Sequence, residues 1–144
     1  MTIRNSASAQ WSGGLKDGKG SISTQSGALS AQPYGFNTRF EDKPGTNPEE
    51  LIAAAHASCF AMALSLVLGQ AGFVADSINT RAEVTMEPGM SPGPTVTGVT
   101  LVLNAKVPGI DAAQFQQIAE GAKAGCVISR ALAVPVTLQA TLDV

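Results

Sequence analysis

The sequence predicts an α+β fold, mostly antiparallel sheet wrapped around one long central helix. Three observations carry this. Segments alternating apolar and polar residues occur on both sides of the chain's middle. A single apolar run, Leu51 to Leu68, is too long for a strand. The elements follow the order β-β-β-α-β-β-α-β, joined mainly by hairpin turns rather than βαβ repeats. At 144 residues, with no linker, repeat or low-complexity tract, residues 1–144 read as one domain.

Residues 6–11 (SASAQW) and 20–26 (GSISTQS) form the first strand pair, and Lys16-Asp17-Gly18-Lys19-Gly20 turns between them. Gly35 to Phe40 alternates and is read as a strand, with Phe36, Thr38 and Phe40 on one face and Asn37 and Arg39 on the other. The strongest helix start follows: Asn47 caps, Pro48 takes the first helical position, and Glu49 and Glu50 suit the dipole. This helix is expected to run to about Leu68 and stop at Gly69. Ile78 to Met86 alternates with its apolar side on Ile78, Ala82, Val84 and Met86, and Val99 to Val107 repeats the pattern. Asp111 and Gln114 begin a second helix ending near Gly125. Cys126 to Leu132 adds a further turn or two, and Val134 to Val144 is the last strand.

Charged residues are 14% of the chain, against about 25% in a typical domain. So few charges point to an extensive subunit interface or much buried surface. The nine Lys and Arg are scattered, and net charge is −2, which argues against nucleic-acid binding. Leu51 to Leu68 reaches the length of a membrane span, but His56, Ser58 and Ser65 interrupt it and no basic residue flanks it. It is read as a helix buried all round in a soluble protein. The N-terminus lacks the apolar stretch of an export signal, so a cytoplasmic protein with reduced thiols is expected. Two Cys and one His cannot form a four-ligand Cys/His zinc site, so no metal is expected.

The residues that could carry chemistry are Cys59, Cys126, His56, Glu49 and Arg39. Taken singly, each has a plain structural role: a core Cys, a helix-start carboxylate, a surface Arg. Cys126 opens a possible helical turn, whose amides would favour its thiolate. His56 lies one turn before Cys59 and is read as structural, in the core or at an interface. The two thiols lie 67 residues apart without CxxC spacing, so they form a redox pair only if the fold joins them.

PYGFNTRF (33–40), GTNPEELIAAAHASCFAMALS (45–65), VPGID (107–111) and AKAGCVIS (122–129) keep their order along nearly the whole chain. In these motifs the chain resembles the OsmC family, relatives of the organic hydroperoxide resistance (Ohr) proteins. The resemblance implies an OsmC-like, intertwined homodimer with active sites at the subunit interface. It also implies a thiol-dependent peroxidase that reduces organic hydroperoxides to alcohols without a cofactor. The family's attacking Cys matches Cys59, its resolving Cys matches Cys126, and its Arg–Glu pair matches Arg39 and Glu49. Where the family usually has Pro after the second Cys, this chain has Val127. A dithiol reductant, in this family often lipoyl-linked, resets the enzyme. Phe36, Phe40 and Phe60 are the expected apolar contacts for the substrate tail. Glu49 and Cys59 lie ten residues apart on one helix, about 15 Å along its axis, so a Glu49 that serves Cys59 is expected to come from the other subunit. The competing reading is a small-molecule or lipid-binding stress protein on the same fold.

Overall fold

In a computed structural model, residues 1–143 are described and fall into two units, Met1–Leu51 and the part from Ile52 onward. The first unit is a three-stranded antiparallel sheet, β1 (Ala7–Ser12), β2 (Lys19–Thr24) and β3 (Gln32–Tyr34), in that order. Gly20 sits in register between Trp11 and Tyr34. It has to be glycine, because a Cβ there would lie 2.5 Å from the Tyr34 ring.

The strand expected over 35–40 is instead a short helix, α1 (Phe36–Phe40). Thr38 explains the difference. Its hydroxyl oxygen accepts from the Gly35 amide at 2.9 Å and its O–H donates to the Gly35 carbonyl at 3.0 Å, which ends the strand and starts the helix. Phe36 and Phe40 still share a face, now at i and i+4, with ring centroids 4.8 Å apart.

Helix α2 (Pro48–Gln70) starts as predicted, the Glu50 amide donating to Asn47 Oδ1 at 2.8 Å. It runs through Gly69 rather than stopping there. The Gly72 amide donates to the Gly69 carbonyl and the Phe73 amide to the Leu68 carbonyl, with Gly72 at φ +88°. That is a Schellman end with Gly72 in the left-handed position.

The second unit builds its sheet from β4 (Ser77–Glu87), β5 (Thr95–Lys106) and β6 (Val136–Asp143), in that order. β4 and β5 are antiparallel; β5 and β6 are parallel. The parallel pair requires a crossover, supplied by α3 (Ala112–Gly125) and α4 (Val127–Ala131). The Asp111 carboxylate caps α3, accepting from the Gln114 amide at 2.8 Å. Val144, the end of the predicted last strand, lies outside the described residues.

The core lies between this sheet and the helices. Val99, Leu101, Leu103 and Ala105 of β5 meet Phe60, Leu64 and Leu68 of α2 and Phe115, Ala119 and Ala122 of α3. The Thr80 hydroxyl also donates to the Ala57 carbonyl, tying α2 to β4. Each large side chain in this core contributes about 1.5–3 kcal/mol. By length and hydropathy alone α2 could cross a bilayer. It is not buried all round, however: only His56, Phe60, Leu64 and Leu68 are buried, at intervals of four residues, while Met62 and Leu66 are 75% and 62% exposed. One sheet covers one stripe of a helix.

The two glycines after α2's last apolar turn give mutations of opposite sign. Gly69→Ala is expected to stabilise by about 0.5–1 kcal/mol, since Gly69 is helical and has open space around it. Gly72→Ala is expected to destabilise by about 1–2 kcal/mol through its left-handed backbone. Urea unfolding of both variants checks the pair, and a stabilising Gly72→Ala would refute this helix end.

Candidate active site

Two groups of predicted residues are assembled, one in each unit. In the first, Arg39 Nε donates to both Glu49 carboxylate oxygens, at 3.0 and 3.1 Å, and Nη2 donates to Oε1. α1 orients the arginine and the first turn of α2 presents the carboxylate. This fork locks the guanidinium plane. Arg39 is partly exposed, so the pair matters more for position than for stability. Trp11, Tyr34, Phe36, Arg39, Phe40 and Pro48 surround a cavity of about 190 Å³. The helical turn brings Arg39 to the same cavity as Phe36 and Phe40, whereas the strand reading put them on opposite faces.

The second unit holds the thiols. Cys59, on α2, is half-buried; Cys126, at the junction of α3 and α4, is 1% exposed; neither is in a disulfide. Both line a groove of about 590 Å³ with Ala55, Met62, Leu66 and Val127. The groove is apolar and has no charged lining residue. Phe60 is not in it. One position from Cys59 is a turn of about 100° around the helix, and Phe60 is fully buried in the core.

Cys126 is the N-cap of α4 but makes no side-chain cap hydrogen bond. Burial is the largest influence on its thiol and opposes ionisation. The Ser129 amide, the Cys59 thiol, the Ser129 hydroxyl and the Ile128 amide are near enough to favour the thiolate. Together they outweigh burial and hold the thiol below its ordinary value. The Arg130 Nε donates to the Gly125 carbonyl at 3.2 Å, fixing the turn that carries Cys126.

His56 is fully buried, with Nε2 2.7 Å from the Ser129 hydroxyl oxygen. Desolvation pushes its pKa down, keeping the imidazole neutral. Nδ1 has no hydrogen-bond partner among the described residues. Ser129 was not singled out in the sequence. Its one signal was spacing: it follows Cys126 by three residues, as His56 precedes Cys59 by three.

Comparison with known proteins covers nearly the whole chain. The OsmC family model, described as OsmC-like protein, matches residues 40–140. Peroxiredoxin OsmC of Escherichia coli is 54% identical over 138 residues, 96% of each chain. Organic hydroperoxide resistance protein OhrB of Bacillus subtilis is 34% identical over 112 residues, 78% of this chain and 80% of that protein. Its crystal structure superposes with a TM-score of 0.71 at 28% identity, over 96% of this chain and 98% of that one. An OsmC-like protein of unknown function from Vibrio cholerae shares the fold, with a TM-score of 0.75 at 16% identity, over 97% of this chain and all of that one.

His56, the only histidine, sets a pH dependence. Its folded pKa lies below the unfolded value near 6.5, so the unfolded chain binds the extra proton first. Its effect on stability is therefore absent above about pH 6.5 and grows unfavourable as pH falls toward the folded pKa, by up to about 1.4 kcal/mol per pH unit. Denaturant titrations at pH 7.5 and 5.5 are expected to show wild type losing more stability than His56→Gln. Equal losses would mean that His56 takes up a proton in the folded state.

Proposed function

This chain belongs to the OsmC family, and on that premise we propose that it is a two-cysteine peroxidase that reduces organic hydroperoxides to alcohols. The observation that carries the reading is the placing of Cys59 and Cys126 in one apolar groove. Cys59 is the accessible member and Cys126 the buried one, so peroxide meets Cys59 first. The Cys59 thiolate attacks the distal peroxide oxygen. The O–O bond breaks, the alkoxide takes up a proton and leaves as alcohol, and Cys59 becomes a sulfenic acid. Cys126 then attacks that sulfur, closing a disulfide and releasing water. A dithiol reductant returns both thiols.

The groove has apolar walls for an alkyl or aryl tail but no cation to hold a thiolate. We assign that role to Arg39, with Glu49 holding its guanidinium fork. Ten residues of α2 separate Glu49 from Cys59. The pair that serves Cys59 is therefore Arg39 and Glu49 of the partner subunit, in a homodimer that covers Met62 and Leu66. Phe36 and Phe40, beside Arg39, contact the substrate tail; Phe60 supports the helix from the core. The enzyme works as one OsmC-like domain per subunit, in the cytoplasm.

With dithiothreitol as reductant, the protein is expected to consume cumene hydroperoxide faster than hydrogen peroxide, and Cys59→Ser to abolish the activity. Faster hydrogen peroxide turnover would overturn the substrate class. Binding of an apolar ligand with no turnover would favour a binding protein.

Arg39→Met and Glu49→Gln are each expected to lower kcat/KM at least about tenfold. Mixing and reannealing the inactive Cys59→Ser subunits with the impaired Arg39→Met subunits tests the shared site. Heterodimers carry one intact site, so about a quarter of wild-type activity should return. No recovery in verified heterodimers would place Arg39 and Cys59 of one active site in the same chain.

A further inference from the structure

His56 and Ser129 are two polar groups beside the thiols that the proposed reaction leaves unused and that bond each other. Their side chains meet at 2.7 Å, one from the turn of α2 that carries Cys59 and one from the turn of α4 that follows Cys126. Burying a histidine completely and leaving its Nδ1 without a partner is costly, so the remaining contact must be worth keeping. A serine hydroxyl has one hydrogen to give. If Ser129 directs it at the Cys126 sulfur, its oxygen must accept from His56 Nε2–H. Nδ1 is then a bare lone pair, which agrees with its lack of a hydrogen-bond partner among the described residues. The reverse tautomer would bury an unpaired N–H and take the Ser129 hydrogen away from Cys126.

We infer that His56 and Ser129 are positioning residues for Cys126: His56 holds the Ser129 hydroxyl with its hydrogen toward the Cys126 sulfur, aiming that thiolate at Cys59. The His56–Ser129 contact stands independently of the peroxidase reading; its use in disulfide closure rests on that reading. In that step the Cys126 thiol gives up its proton and its sulfur bonds the Cys59 sulfur. The S–OH bond breaks, and the departing hydroxide takes up the proton as water. Ser129 and His56 orient this exchange and end it with the protons they began with.

Two readouts test the inference. In a Cys59→Ser background, thiolate absorbance near 240 nm reports Cys126 alone. Ser129→Ala and His56→Leu are each expected to raise its midpoint by about one pH unit, a tenfold loss of thiolate at a fixed pH below both midpoints. The double variant should add little more, since both act through one contact. Ser129→Thr and His56→Gln, which keep the hydroxyl and the donor, should return the midpoint toward its parent. In the two-cysteine protein, one equivalent of cumene hydroperoxide is added and sulfenic acid is trapped with dimedone. Ser129→Ala should form sulfenic acid at the wild-type rate and close the disulfide about tenfold more slowly. Ser129→Ala is a small change at a half-buried position, so it decides the matter if His56→Leu does not fold. An unmoved midpoint and an unmoved closure rate in Ser129→Ala overturn the inference. A raised midpoint in a protein whose wild type keeps both thiols under peroxide supports the Ser129 contact and overturns the peroxidase reading instead.

Discussion

Helix α2 carries more apolar surface than its own sheet can cover. Its buried stripe of His56, Phe60, Leu64 and Leu68 anchors the second unit, and Met62 and Leu66 on another side remain exposed. Cys59 lies on the edge between these surfaces, half-buried, and that placement governs the rest of the site. A thiol fully inside the core would be closed to peroxide. One on a polar helix face would lack walls for an organic tail. The cost is that an apolar groove offers a thiolate no counter-charge. The proposed homodimer meets both needs: a second copy covers the bare helix face and brings Arg39, already locked by Glu49, to the thiol.

The two cysteines experience different physics. In the proposed reaction Cys59 depends on access and on a cation from outside its groove, which has no charged lining residue. Cys126 is buried, and burial alone would hold its proton on; nearby amides, the Ser129 hydroxyl and the Cys59 thiol reverse that. In the proposed reaction Cys126, as the resolving thiol, has to be ready as a thiolate while staying out of reach of peroxide. Burial supplies the second property and the α4 turn the first. Val127, where the family resemblance leads one to expect proline, opens α4 directly after Cys126.

Most of the fold was legible because its signals are local. Asn47-Pro48 and Asp111 mark two helix starts, and the alternation of β4, β5 and β6 marks which faces are buried. The misreadings came from contacts that alternation cannot report. Phe36 to Phe40 satisfies a period of two and equally an i,i+4 pair, and the Thr38 side chain decides for helix. Gly69 and Gly72 are both plausible stops, and only backbone φ separates them. The parallel pairing of β5 with β6 lies in the crossover, not in either strand. In the proposed site, Cys59, Cys126, Arg39 and Glu49 could be named from motifs. Ser129 could not, because its contact with His56 spans 73 residues of sequence.

Disulfide mapping after a single turnover tests the central claim most directly. Fully reduced protein would be given one equivalent of cumene hydroperoxide without oxygen, quenched with an alkylating agent, and its peptides analysed by mass spectrometry. The account predicts an intrachain bond between Cys59 and Cys126, absent in both Cys→Ser variants, with Cys126→Ser stopping at the Cys59 sulfenic acid. Two alkylated thiols, or a bond joining Cys59 to Cys59 of a second chain, would contradict it.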